Sequence, residues 1–375
     1  MKYSIIEGNN ISKLSLGNYF LSGVYGRFNK EKFKEIVFNA YENGINYFDT
    51  SLLYGEEAEK NLGDAVKNFR NSIFIATKTD YDRSKIINKN FIKSSCEKSL
   101  KNLKTDFIDF YYLHFDDEKC SVDEIIDAIT ELKKDGKIRF FGLSHVSQKR
   151  LDEFLKTNQI SSVMIEFNPV NYMNFQNFNT NYISYSITAR GLLTGKINEN
   201  TKFDYADIRN KDPMFYGPRF KAALEIQKEF ERLGKEYNKT SVQVAINWIL
   251  SKEEIKISLM GVKNISQLNE NLESVKFDLR KNDLKYIDNY LDNKQEEIFI
   301  NEMNFIREIF NKEIKDKNKG IRVLIYVIEN FVSKKILEEK KALEFLKKIY
   351  FETENLELKK LNDLKEKLKI YLDLA

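Results

Sequence analysis

The chain has 375 residues, 42% apolar and 31% charged, and its 61 basic and 57 acidic residues leave a formal net charge of +4. A chain of this length can bury a large apolar core. Its basic and acidic residues nearly balance and form no concentrated basic stripe, so nucleic-acid binding is not indicated. The two cysteines, Cys96 and Cys120, have no CxxC spacing, so neither a disulfide scaffold nor a metal site is predicted. The start, "MKYSIIEGNNISK", lacks the apolar core of a signal peptide, and "IRVLIYVIENFV" is too short to span a bilayer. We therefore expect a cytoplasmic protein without membrane partners.

Short apolar runs alternate with amphipathic segments along most of the chain. Strands are predicted, in chain order, within "KLSLGNYFLSG", "INYFDT", "SIFIATK", "FIDFYYLH", "KIRFFGLSH", "SSVMIEFNPV", "NYISYSI" and "IKISLMGV". Helices are predicted between most of them, and none between "SSVMIEFNPV" and "NYISYSI". One of these, "SVDEIIDAITELKKDG", begins with Ser121 at the N-cap and Glu124 at the capping-box position.

The order of these elements predicts an α/β protein that forms a (β/α)8 TIM barrel. Near-continuous apolar strands are expected where helices cover a parallel sheet, and repeated strand–helix units of this length are typical of such a barrel. A doubly wound sheet is the alternative. The chain has no GxGxxG between a predicted strand and helix, which counts against the doubly wound dinucleotide fold.

The composition changes at about residue 296, where the chain becomes helical in pattern and rich in Lys, Glu and Leu. Leu361, Leu364, Leu368 and Leu372 recur at helical spacing. One interpretation is a helical appendage whose apolar stripe packs on the barrel or on itself. The other is a surface for a protein partner or a homo-oligomer. We therefore predict a barrel over residues 1–295 and an α-helical extension over 296–375.

Three consecutive predicted strands end in ionisable side chains. Asp49 ends the second strand, Lys78 the third and His114 the fourth. Tyr54 lies on the loop after Asp49. Because chemistry in a barrel takes place where the strands end, all four are expected at one rim. Taken singly, each has a structural explanation in turn chemistry, solvation or packing. Their coincidence at one rim favours a catalytic site.

These four side chains suit proton donation to a carbonyl compound. A tyrosine with a pKa of about 10 is a poor acid at neutral pH, and a nearby lysine ammonium lowers that pKa. We expect Asp49 to hold Lys78, and His114 to hydrogen-bond the substrate carbonyl from the opposite side. Tyr54 would protonate the developing alkoxide as hydride reaches the carbonyl carbon.

The chain resembles an aldo-keto reductase over about residues 10–290. The resemblance rests on motifs in the family's order: "GINYFDTSLLYG", "EKNLG", "FIATK", "SLKNLKTDFIDFYYLH", "GKIRFFGLS", "IEFNPV", "RGLLTGK" and "NISQLNENL". It implies a (β/α)8 barrel that binds NADPH, or less often NADH, in an extended pose without a Rossmann fold. It also implies that Asp49, Tyr54, Lys78 and His114 form the catalytic tetrad, with Tyr54 as the proton donor.

The same resemblance implies a set of cofactor-binding positions. Ser144 and His145 stand where the family usually has Ser-Asn at the nicotinamide carboxamide, and His145 is expected to donate a hydrogen bond there. Met164 replaces a carboxamide-binding glutamine, Arg190 adds positive charge to the pyrophosphate loop, and Lys263 stands at or beside the basic residue that meets the 2′-phosphate. The implied set is Ser144, His145, Met164, Tyr185, Ser186, Thr188, Arg190, Leu192, Gly195, Lys196, Gly261, Lys263, Gln267 and Asn271.

Substrate and function are less sharply defined. Tyr19, Phe20 and Phe115 are expected to line an aromatic pocket mouth for a small aldehyde or ketone. The favoured function is NAD(P)H-dependent carbonyl reduction, with NADPH preferred over NADH. The alternatives are an NADPH-binding regulatory or interaction subunit with little turnover, and a lyase or isomerase that uses Lys78 as a Schiff base. The aspartate–tyrosine spacing and "GLLTGK" argue against the lyase.

Overall fold

Eight parallel strands close into a barrel in the computed structural model of the chain. It describes residues 1–26, 30–82, 86–116, 118–172, 180–310 and 358–371, with 315–317, 320, 321, 324, 325, 327 and 328. The strands are, in chain order, β1 (Tyr3–Ile6), β2 (Asn9–Ser12), β3 (Leu14–Gly17), β4 (Tyr47–Asp49), β5 (Phe74–Lys78), β6 (Ile108–Phe115), β7 (Ile138–His145), β8 (Ser162–Glu166), β9 (Tyr182–Tyr185) and β10 (Ile255–Met260). β3 to β10 pair in chain order, and β10 returns to pair with β3. The predicted (β/α)8 barrel is confirmed.

Helices surround the barrel, and each follows a strand or another helix. They are α1 (Lys30–Glu42), α2 (Glu56–Val66), α3 (Lys89–Leu103), α4 (Val122–Lys134), α5 (Gln148–Leu155), α6 (Gly217–Tyr237), α7 (Ser241–Leu250), α8 (Ile265–Leu272), α9 (Lys281–Phe310) and α10 (Leu358–Tyr371). Ser121 caps α4 as predicted, since its hydroxyl accepts a hydrogen bond from the Glu124 amide at 3.2 Å. The Glu124 carboxylate instead accepts from the Lys89 amide at 3.2 Å, so it joins two helices.

A β-hairpin that the sequence patterns did not predict closes the bottom of the barrel. β1 and β2 pair across Glu7 and Gly8, which both have positive φ, 49° and 73°, as a two-residue hairpin turn requires. Ile6 and Ile11 of the hairpin are buried with the side chains inside the barrel. Asn46, just before β4, accepts the Ser12 amide at 2.8 Å. The hairpin therefore covers the end where the strands begin, opposite the end that carries the predicted site.

The last barrel helix continues into the C-terminal extension. α9 passes residue 295 without a break, so no loop separates the two predicted domains, and the division stays a proposal. α10 contacts α9, and its Leu361, Leu364 and Leu368 are buried; Leu372 lies outside the described residues. This packing favours the appendage interpretation of the leucine stripe. None of the helices in the described part of the chain is long and apolar enough to cross a membrane.

Candidate active site

Neighbouring strand ends bring the four predicted catalytic side chains together. Asp49 is the last residue of β4, Lys78 the last of β5, and His114 lies one residue before the end of β6. These three strands are adjacent in the barrel. Tyr54 ends a short 3-10 turn, Leu52–Tyr54, that directly follows β4. The site thus lies at the open rim of the barrel, where sequence position alone predicted it.

A buried ion pair forms the base of the site. Lys78 and Asp49 are 2% and 3% exposed, and the Lys78 Nζ donates to Asp49 Oδ2 at 2.7 Å. The same amine donates to the Thr50 carbonyl at 2.8 Å. Burial lowers the pKa of Lys78 and raises that of Asp49, while each charge stabilises the other. The pair is therefore held in one geometry beneath the rim.

The tyrosine is a protonated phenol, not one shifted toward the phenolate. Lys78 Nζ lies 4.8 Å from the centroid of the Tyr54 ring. Burial raises the pKa of Tyr54 well above 10, and the negative charge of Asp49 raises it further. The expectation that the pKa of Tyr54 is lowered is therefore wrong, because the loss of solvation raises it. The phenol therefore carries its proton at neutral pH, while the raised pKa makes it a weaker acid than a free tyrosine.

The histidine faces the tyrosine and is neutral. The rings of His114 and Tyr54 are 6.1 Å apart at 80°, edge to face. Burial, together with the charge of Lys78, holds the pKa of His114 well below 6.5. His114 Nδ1 lies 3.1 Å from the Ser51 hydroxyl, which also caps the turn that carries Tyr54 by accepting the Leu53 amide at 3.1 Å. With Ser51 donating to Nδ1, the Nε2–H is available to a substrate carbonyl.

Two supporting residues were not assigned from the sequence. Ser51 links the Tyr54 turn to the His114 ring. Glu59, in the quoted motif "EKNLG", is fully buried and accepts from the Thr77 hydroxyl at 2.7 Å and from the Asn102 amide at 2.9 Å. It thereby fixes the residue before Lys78 to α2 and α3. The sequence signal for Glu59 was a carboxylate on the apolar face of the predicted amphipathic helix.

The nicotinamide end of the predicted cofactor site assembles at the ends of β7, β8 and β9. His145 Nδ1 lies 3.1 Å from the His114 carbonyl and 3.1 Å from Ser144 Oγ. Because a carbonyl only accepts, Nδ1 carries the proton, and Nε2, 3.4 Å from the Tyr185 hydroxyl, is an acceptor. Loss of solvation at the rim lowers the pKa of His145 to about 4, so the ring is neutral, although part of the residue is exposed. The expectation that His145 donates is therefore corrected: its outer nitrogen accepts.

Two further predicted positions differ from their expected roles. Met164 is 3% exposed and packs inside the barrel beside Tyr185, so it supports the site without a hydrogen bond. Arg190 does not offer spare positive charge, because its guanidinium is held by Glu166 at 3.0 and 3.1 Å and by Asp212 at 2.8 Å. That ion-pair cluster connects the end of β8 to the loop after β9.

The predicted pyrophosphate loop is a tight backbone turn. Residues 189–194 form a 3-10 turn interrupted at Arg190 and Gly191, and Gly195 ends it with φ 72°. The positive φ favours glycine at this position, and a Cβ on Gly195 would lie 3.0 Å from Gln227 Nε2, so that side chain would have to shift. Leu192 is fully buried, and Lys196 is largely exposed, 3.8 Å from Glu270. The turn is stabilised upstream by Ser186, with φ 54°, and by the Thr188 carbonyl.

The adenine end of the predicted site follows β10. Gly261 is exposed there, and the next basic residue, Lys263, donates from Nζ to the Tyr25 carbonyl at 2.5 Å. Gln267 accepts the Lys263 amide at 2.8 Å, and Asn271 is buried on the same helix. Arg209, which the sequence did not single out, lies 5.5 Å from the Tyr25 ring, and Lys263 lies 5.8 Å from it. Two cations therefore flank one aromatic ring.

The predicted substrate side is aromatic, with one correction. Tyr19 is 38% exposed and its ring lies 5.1 Å from that of Tyr54. Phe115 stacks on His114 at 4.6 Å and lies 5.2 Å from Tyr81, which sequence analysis missed. Phe20 is 4% exposed and belongs to the core between the strands and helices, so its placement at the pocket mouth is wrong.

The donor set fits a nicotinamide dinucleotide. An aromatic ring, an imidazole acceptor and a hydroxyl lie together at Tyr185, His145 and Ser144. The glycine-bounded turn offers backbone at close range, and Lys263 lies beyond it. These groups follow the ends of β7, β9 and β10, which surround one side of the rim. The apolar Met164 lacks the hydrogen-bonding group expected at its position, as His145 lacks the expected outer donor.

Comparison with known proteins agrees with this geometry. The profile of the Aldo/keto reductase family matches residues 13–292. The chain belongs to the aldo-keto reductase family. It is an NAD(P)H-dependent oxidoreductase of that family, and the family as a whole uses nicotinamide cofactors for carbonyl reduction.

The alignments of this reductase with its relatives span nearly the whole length of each relative. It is 31% identical over 314 residues to the aldo-keto reductase YhdN of Bacillus subtilis, covering 78% of this chain and 94% of that protein. It is 26% identical over 310 residues to aldo-keto reductase yakc [NADP(+)] of Schizosaccharomyces pombe, covering 77% and 91%. The structure of the glycerol dehydrogenase AKR11B4 from Gluconobacter oxydans aligns with a TM-score of 0.70 at 26% identity, covering 78% and 96%.

The neutral state of His114 predicts a pH dependence of stability. Its native pKa lies below the unfolded value of about 6.5, so the unfolded chain binds a proton that the folded chain rejects. The contribution of neutral His114 to the free energy of unfolding is therefore complete above about pH 6.5. It is lost as the pH falls below that value, at up to about 1.4 kcal/mol per pH unit. Urea unfolding of the wild type and His114→Gln at pH 5 to 8 measures it. The stability difference between the two proteins should change on acidification, and a constant difference contradicts the assignment.

Proposed function

We propose that this reductase converts an aldehyde or ketone to an alcohol with NADPH, and that Tyr54 donates the proton. The observation that carries the proposal is the protonated Tyr54 phenol facing the neutral His114, with the Lys78–Asp49 pair behind them. A proton donor and a hydrogen-bond donor thus converge on one point of the rim.

Each side chain has a defined task in this proposal. His114 Nε2–H and the Tyr54 hydroxyl bind the carbonyl oxygen and polarise it. The bound nicotinamide supplies the hydride to the carbonyl carbon. Tyr54 transfers its proton to the oxygen, and the Lys78 ammonium, 4.8 Å from the ring, stabilises the phenolate that remains. Asp49 holds that ammonium in place.

NADPH is the proposed cofactor, with NADH as the alternative. Lys263 places a cation beside Tyr25 after β10, where the 2′-phosphate is expected, whereas the nearby Arg209 is paired with Asp207 at 2.7 and 2.9 Å. A relative of this reductase carries NADP(+) in its name. We expect Lys263→Met to weaken NADPH binding about tenfold, on the order of a lost charge-assisted hydrogen bond, with NADH affinity unchanged. Fluorescence titration with both nucleotides measures this, and equal losses for both would contradict a 2′-phosphate contact.

The proposed substrate is a small carbonyl compound with an apolar or aromatic substituent. Tyr19, Phe115 and Tyr81 surround the proton donor with aromatic surface, and Tyr19 and Phe115 directly contact the rings of Tyr54 and His114. Aromatic surface favours apolar substituents over charged ones. A benzaldehyde series with neutral and carboxylated members would test the preference through kcat/KM.

An NADPH-binding subunit with little turnover is the second candidate. Met164 favours it, because the hydrogen bond expected at that position is absent. One experiment separates the two functions: NADPH binding is followed by fluorescence, and its oxidation is then followed with aldehydes and ketones. Binding with oxidation supports the reductase, binding without oxidation supports the subunit, and the absence of binding contradicts both.

A further inference from the structure

A long segment spans the predicted cofactor groove. Residues 198–216, which we call the lid, connect the turn after β9 to α6. The Ile208 amide of the lid donates to the Val24 carbonyl at 2.9 Å, on the loop after β3. Because β10 lies between β9 and β3 in the barrel, the lid crosses the end of β10. Lys263, the expected 2′-phosphate contact, follows that strand.

The lid is also attached to the pyrophosphate turn. Asp212 of the lid is 8% exposed and pairs with Arg190 Nε at 2.8 Å. Arg190 in turn pairs with Glu166 at the end of β8. A small cavity lies between these groups and is also lined by Arg219, two residues into α6. The lid therefore has one attachment on each side of the groove.

A third attachment holds the start of α6, where the lid ends. It comes from the part of α9 that lies beyond the end of the family match at residue 292. Glu302 is 1% exposed, and its carboxylate accepts from Arg219 Nε at 2.9 Å and Nη2 at 3.4 Å. A two-point arginine–carboxylate contact fixes orientation as well as distance. Removing one partner of such a buried pair leaves the other charge uncompensated. The pair therefore ties the start of α6 to the extension.

Packing reinforces this ion pair. Gly217 begins α6 with φ 64°, and a Cβ there would lie 2.6 Å from the Phe305 ring. Phe305 also lies 5.5 Å from the ring of Tyr216, the last residue of the lid. The glycine thus lets α9 approach the backbone where the lid ends. Glu302 and Phe305 are one helical turn apart, so one face of α9 makes both contacts.

We propose that the extension holds the lid over the nicotinamide cofactor, with Glu302 and Phe305 as positioning residues. The proposal rests on the proposed function, since it requires a cofactor in the groove. A lid that is fixed at both ends opens more slowly, so the extension slows cofactor release. To the extent that the docked extension also raises cofactor affinity, bound cofactor must stabilise the docking of α9 equally, by linkage. The extension thereby sets the residence time of the cofactor, a step that limits turnover in many enzymes.

Stopped-flow fluorescence of NADPH release tests the proposal. Glu302→Gln and Phe305→Ala should release NADPH about fivefold faster or more than the wild type. Glu297→Gln is the matched control, because Glu297 lies on the same helix, is half-exposed and pairs only with its neighbour Lys294 among the contacts described. The charge exchange Arg219→Glu with Glu302→Arg should restore slow release. The rate of the chemical step, from single turnovers at saturating NADPH, should not change.

Hydrogen exchange of the wild type keeps the proposal testable if a variant folds poorly. NADPH should protect amides in the lid and in residues 300–310 together. The proposal fails if NADPH protects the lid alone, or if both variants release NADPH at the rate of Glu297→Gln. Failure of the wild type to bind NADPH would overturn the proposed function instead, so the two failures are distinguishable.

Discussion

Tyr54→Phe is expected to lower kcat for carbonyl reduction about 10²- to 10⁴-fold, the usual contribution of a positioned general acid. The variant removes one oxygen from a half-buried ring and leaves the Lys78–Asp49 pair intact, so the fold and NADPH affinity should be unchanged. Steady-state rates and fluorescence titration with NADPH measure the two quantities separately. A loss of rate without a loss of binding assigns Tyr54 to the chemical step.

Tyr19→Phe is the matched control for this substitution. Its ring lies 5.1 Å from that of Tyr54, and it too loses only a phenol oxygen. We expect its kcat to remain near that of the wild type, because Tyr54, facing His114, is the assigned donor. Equal losses in the two variants would mean that the hydroxyls act together or that the donor is misassigned.

The fold was predictable because a parallel barrel repeats one simple pattern. Each of its eight strands is a short apolar run, and seven lie within the predicted segments while β6 extends one residue further, to Phe115. The hairpin of β1 and β2 was missed since its strands, "YSII" and "NNIS", are four residues each and neither alternates polar with apolar residues. Gly8 was the sequence signal for this turn, although Glu-Gly is not one of the pairs that two-residue hairpins favour. The course of α9 across residue 295 was also missed, because the composition changes there while the helix does not end.

The positions of the catalytic residues followed from strand order, whereas their protonation did not. Strand ends predict that Asp49, Lys78 and His114 meet, since adjacent parallel strands end at one rim. The pKa of Tyr54 depends on how deeply the ring is desolvated, and no sequence pattern encodes that depth. The same applies to His145, whose tautomer is set by the carbonyl of a residue 31 positions away.

Charge pairing was the other property that sequence could not supply. Arg190 looked like a phosphate contact because it lies in a glycine-containing turn. Its two carboxylate partners, Glu166 and Asp212, are 24 and 22 residues away in the chain, and only the fold brings them to it. Phe20 was misplaced for a similar reason, since an aromatic residue on a loop can turn into the core. Loop side chains are the least predictable part of this site.

Lys78→Met is expected to destabilise the protein and to abolish most of its activity. The substitution keeps the length of the side chain but leaves Asp49, 3% exposed, as a buried unpaired carboxylate. Breaking such a pair typically costs about 3–5 kcal/mol. Without the ammonium the phenolate of Tyr54 is also unsupported, so kcat should fall about 10²-fold or more. Urea unfolding and steady-state kinetics measure the two effects.

The double variant Asp49→Asn with Lys78→Met separates the ion pair from the packing. Removing both charges takes away the unpaired carboxylate, so the double variant should unfold at higher urea than Lys78→Met alone. In the single variant, the pKa of Asp49 loses the charge that opposes its burial and must rise further above its unfolded value. The folded state then binds a proton that the unfolded state has lost, so the stability of Lys78→Met, relative to the double variant, should increase as pH falls from 7 toward 5. If the single and double variants are equally stable at every pH, Asp49 is not charged in the native protein, and the role of the pair in holding Lys78 beneath Tyr54 must be abandoned.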